Sequence, residues 1–152
     1  MSLYEGLIIV HILAAAILIG APVVIGGMLA RLIGSGDERD IIGFTNVADL
    51  AGRIFGPTAL VLLITGIWGA SEGNWDFGDA WISIGFAAWI ALTIVGVTFH
   101  RVNGRRTREV VEQQGAGSAA ALVRLRRTLM VLSGEFAVLA VVVWAMVAKP
   151  GL

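Results

Sequence analysis

The sequence contains no cysteine, one tyrosine, two histidines and three prolines. Without cysteine there is no disulfide scaffold, no thiolate metal site and no cysteine nucleophile. Charge is also scarce, at 14% of 152 residues, where soluble domains carry about 25%. The 11 basic and 11 acidic residues cancel to a formal net charge of zero, which argues against a general nucleic-acid binder. No glycine-rich nucleotide loop, HExxH, GxSxG or acid cluster with metal spacing occurs. Gly26 and Gly27 lie inside an apolar run and open no such loop.

What the chain has is long apolar runs. Hydrophobic residues make up 57% of it, and the mean hydropathy is +0.86. A spanning helix needs about 20 apolar residues at about 1.5 Å rise each. Four runs meet that need, at about 6–30, 47–71, 80–100 and 128–148. Buried helices of a soluble protein are the alternative, but the remaining polar sequence is too short to cover four of them. The first run is too long for a signal-peptide core and has no Lys or Arg before it, so it reads as a retained helix. The sequence therefore predicts one all-α domain, 1–152: a polytopic membrane protein with a bundle of four transmembrane helices.

Arginine sets the expected orientation. Seven arginines lie between Arg101 and Arg127, and Arg31, Arg39 and Arg53 lie between the first two runs or at the start of the second. The connection from Glu72 to Asp79 has no basic residue and three acidic ones. The arginine-rich connections are thus expected in the cytoplasm and both termini outside, in a plasma or bacterial inner membrane. Trp68, Trp75, Trp81, Trp144 and Tyr4 then fall at the outer interface, where aromatics collect. Within the basic connection, Gly115, Gly117 and Ser118 mark a turn, and Ser118 can cap a following helix. A short cytoplasmic helical hairpin between the third and fourth spans is expected, close enough to the bilayer to touch anionic headgroups.

Small residues at four-residue spacing (Ala16 and Gly20, Gly52 and Gly56, Gly66 and Ala70) predict close helix approach in lipid. Ionisable groups inside the spans are few, and each is a functional candidate. His11 lies about 8 Å inside the first span by helical rise. A neutral imidazole there can ligate a metal or haem iron, relay a proton, or simply bond a neighbouring helix. Glu135 and Arg53 enter from the same side to matching depth and are expected to pair, with Asp49 one turn before Arg53. Such a cluster either fixes helix register or forms a proton path. His100, beside Arg101, reads as a solvated interfacial histidine far from His11.

The stretch "LYEGLIIVHILAAAILIGAPVV" resembles the first helix of HemJ-type protoporphyrinogen oxidases. "FGPTALVLLITGIWGA" resembles their second helix, and "FAVLAVVVWAMVAKPGL" their last. Copper-resistance D-type proteins share the layout, and the chain looks most like an uncharacterised family of predicted four-helix membrane proteins. In HemJ-type enzymes the first-helix histidine ligates haem, so the resemblance implies haem b on His11. Those enzymes also carry a functional lysine near the start of the third helix, where this chain reads Trp81-Ile82-Ser83-Ile84. The departure removes the basis for assigning the oxidase activity. Three roles follow as expectations: a haem-b-binding redox protein using His11, a non-catalytic subunit packing against membrane partners or a second copy, and a small metal-ion or solute transporter. The last draws on the Asp49, Arg53 and Glu135 cluster and on Pro22 as a break in the first helix.

Overall fold

The computed structural model describes residues 1–35, 38–115 and 117–151, with side chains described except at 35, 38–42, 45, 46 and 49. Helix α1 spans Leu3–Ser35. It opens on a capping box: Glu5 N–H donates to Ser2 Oγ at 3.2 Å, and Ser2 N–H donates to Glu5 Oε2 at 2.8 Å. Helix α2 spans Glu38–Glu72. The turn after it places Asn74 at φ 53°, a left-handed conformation that asparagine tolerates. Asp76 Oδ1 then accepts from Gly78 N–H at 2.8 Å.

Helix α3 spans Ala80–Val95, and a wide π turn follows over Gly96–His100. The same axis continues as α4, Arg101–Gln114. Gly115, at φ 85°, ends it. Ser118 caps α5, Ala119–Ala148, by accepting from Ala121 N–H at 3.3 Å. The cap expected at Ser118 is therefore formed. The third helix runs on past Arg101 as α4, which packs against α5.

One correction concerns the first helix. Pro22 does not break α1, which is helical through it; proline withholds one N–H, and the surrounding turns hold the axis. Helix α2 starts at Glu38, ahead of the span expected at about 47–71, and carries Pro57 in its interior.

Helix α5 is central, packing on α1, α3 and α4, while α1 also lies along α2. Two buried clusters mark the two ends of the bundle. One joins Ile25, Leu29, Leu32, Phe44, Leu125 and Leu132, with Val111 and Leu122 against it. The other joins Ala70, Trp81, Ile82 and Ala145, with Trp75 and Met146 against it. All the arginine-bearing ends that are described gather around the first cluster.

Four helices are long and apolar enough to cross a membrane: Leu3–Gly34, Leu50–Glu72, Ala80–Gln114 and Ala119–Ala148. Only 6–11% of the residues in their most apolar windows are buried within the protein. The outward faces are apolar as well, with Ile12 59%, Val24 61% and Met130 68% exposed. In water each square ångström of such surface costs about 25 cal/mol. A bilayer removes that cost. The molecule is a four-helix integral membrane protein.

Candidate functional site

His11 projects from α1 onto α2. Its Nδ1 lies 3.0 Å from the Leu62 carbonyl oxygen and 3.2 Å from Thr65 Oγ1. A carbonyl only accepts, so Nδ1 carries the proton and donates it. Thr65 Oγ1 donates in turn to the Val61 carbonyl at 2.7 Å. This fixes the tautomer: Nε2 keeps its lone pair, and it has no hydrogen bond among the described residues.

The ring fits because residue 66 is glycine. A Cβ there would stand 3.0 Å from His11 Cε1 and 3.4 Å from Nδ1. Gly66 and buried Ala70 thus do form a small face that a neighbour uses. At Gly20, Gly52 and Gly56 an added Cβ meets nothing within 4 Å, so those small-residue pairs are not contact faces inside this chain.

The anticipated ion pair is rearranged. Glu135 is held by His100, whose Nε2 lies 2.9 and 3.0 Å from the two carboxylate oxygens. Arg53 is exposed and makes no ion pair among the described residues. The Asp49 side chain lies outside the described residues. The reason lies in the chain's third helix. His100 is an interior residue of the continuous 35-residue span Ala80–Gln114, and the π turn that ends on it alters the helical register just there. His100 also stacks edge-on to Phe99, at 5.3 Å between ring centroids. His100 is therefore a partner of Glu135 within a continuous helix, not the solvated interfacial residue that its place beside Arg101 predicts.

At the opposite end Lys149 closes α5 in a left-handed conformation, at φ 44°. Its Nζ lies 3.7 Å from the Trp75 ring centroid and 5.3 Å from that of Trp81. The two indoles meet edge to face at 5.5 Å. The chain's single lysine therefore stands beside the start of α3, the segment that lacks a lysine of its own. Trp81 is buried, and its Nε1–H has no partner among the described residues.

No group of three or more His, Cys, Asp or Glu side chains able to hold a metal ion occurs among the described residues. For haem the relevant feature is a single imidazole with a free Nε2 and an anchored Nδ1, and His11 meets it. His100 has the nitrogens exchanged, with Nε2 bonded to the Glu135 carboxylate.

These helices and their outward apolar faces define the class: a polytopic α-helical membrane protein with few polar groups in its spans. The chain belongs to the family described as "Predicted integral membrane protein (DUF2269)", which matches residues 6–150. No curated protein and no solved structure matched it.

Proposed function

We propose that this protein binds haem b in the membrane as a redox protein, and that His11 Nε2 would hold the iron. The observation that carries the reading is the His11 hydrogen bond to the Leu62 carbonyl. Histidines that ligate metals regularly donate their other ring N–H to a carbonyl or carboxylate, which orients the ring and raises its basicity. Thr65 and Gly66 support that geometry, one by hydrogen bonding and one by leaving room. The group would supply one-electron chemistry at iron, and the chain's own residues would orient His11 and keep Nε2 unprotonated.

The arginine distribution supports an orientation with the α4–α5 turn in the cytoplasm and both termini outside an inner membrane. The absorption spectrum of detergent-purified protein tests the cofactor: a Soret band and an α band on reduction are expected. His11→Ala should remove most of the haem, while His100→Ala should leave it in place. Full haem occupancy in the His11 variant overturns the ligand assignment. A wild type that takes up no haem on reconstitution overturns the redox reading and favours a non-catalytic membrane subunit.

A further inference from the structure

An open groove of about 430 Å³ runs between α4 and the first turns of α5, lined by Asn103, Ala119, Ala120, Val123, Arg124 and Arg127. That size is in the range of small-ligand sites, about 300–1,000 Å³. Its polar lining is one-sided. Arg124 donates to Asn103 Oδ1 at 3.3 Å, and Asn103 Nδ2 donates to Thr128 Oγ1 at 2.9 Å. Arg127 lies over the Phe99 ring, 5.6 Å from its centroid. Neither arginine has a carboxylate partner among the described residues, whereas Arg105 on the far face of α4 is within 3.7 Å of Glu109. The Asn103 contact therefore holds Arg124 in place without neutralising it.

The rest of the lining is apolar. Val123 is 65% exposed, and Met130, 68% exposed, follows it at helical spacing along the same face as Arg127. Two guanidiniums without a carboxylate partner, with exposed Met130 on the side toward the span, suit an amphiphile with an anionic head. A free anion would leave Met130 uncovered. The groove also lies where α5 passes from its arginine-rich first turns into its membrane span, the depth of phospholipid phosphates.

We infer that this groove is a binding site for one anionic phospholipid, whose phosphate pairs with Arg124 and Arg127 while its upper acyl chain covers Met130. Guanidinium is suited to the phosphate oxygens because it presents two parallel N–H donors. The inference is independent of what His11 holds.

Native mass spectrometry of the full-length protein in detergent tests it, with phosphatidylglycerol, phosphatidylcholine and inorganic phosphate as separate probes. Wild type should retain one phosphatidylglycerol in preference to phosphatidylcholine. Arg124→Gln with Arg127→Gln should weaken that binding by about 30-fold, from roughly fivefold per cation. Arg105→Gln with Arg106→Gln removes the same charge from α4 and should leave the preference intact. Should loss of the Asn103 contact unfold the double variant, Arg127→Gln alone and the groove-filling Ala120→Leu provide the same readout. Equal loss in both arginine pairs would reduce the effect to general charge and overturn the site. Displacement of the lipid by millimolar phosphate would mark a plain anion site and overturn the lipid assignment.

Discussion

His100 and Glu135 show how one contact changes the chemistry assigned to a membrane interior. Glu135 is 13% exposed and His100 30% exposed, so each leaves an unsatisfied polar group when the other is removed. Removal of one partner from such a pair costs about 1–3 kcal/mol. His100→Ala and Glu135→Ala should each lower the denaturation midpoint in detergent, and the double variant should lose less than the sum. Arg53→Ala combined with Glu135→Ala should be additive. Coupling between Arg53 and Glu135, with none between His100 and Glu135, would reverse the assignment. His11 differs in its anchor, which is a backbone carbonyl rather than a carboxylate.

Packing between elements depends on which atom a neighbour presents. An added Cβ at Gly73 would lie 2.7 Å from two Trp75 ring atoms and 2.9 Å from Tyr4 Cε2. Those rings are rigid, and Trp75 is also held against Trp81 and Lys149. At Gly85 the Cβ would lie 2.6 Å from Met146 Cε, the tip of a flexible side chain. Gly73→Ala should therefore cost about 1–3 kcal/mol through overpacking. Gly85→Ala should be near neutral, because a helical Gly→Ala change recovers about 0.5–1 kcal/mol. Thermal denaturation of the two variants in the same detergent checks the contrast. A larger loss at Gly85 would mean that Met146 cannot move.

On the scale of the whole molecule, water and lipid divide the work of stabilisation. The largest fully buried side chains, Leu29 at 0% and Leu125 at 1%, lie near the arginine-bearing end. Helices of 30 to 35 residues exceed the roughly 20 needed to cross the hydrocarbon, so that end stands in the interface or beyond it. There the hydrophobic effect acts between helices, whereas inside the bilayer it does not. The orientation has a direct test. A cysteine at Gly117, where a Cβ meets nothing within 4 Å, should react in cells only after permeabilisation. A cysteine at Phe77, 47% exposed, should react in intact cells. The opposite pattern would invert the topology and place the lipid groove in the outer leaflet.

The sequence alone was sufficient for the architecture. Four long apolar runs have no stable state in water, and backbone hydrogen bonding in lipid requires helix, so the number and class of the helices followed from composition and spacing. The Ser118 cap and the breaks at Asn74 and Gly115 were legible for the same local reason. Partnerships between helices were not. Depth along an axis can be counted from sequence, but rotation about that axis cannot. A π turn at residues 96–100 is invisible to a 3.6-residue period. That rotation decided that Glu135 meets His100 rather than Arg53, that Gly66 and not Gly20 receives a neighbour, and that Lys149 reaches the start of α3. It also decided which two of ten arginines share a groove. Each depends on how the helices are turned toward one another, which only the tertiary structure specifies.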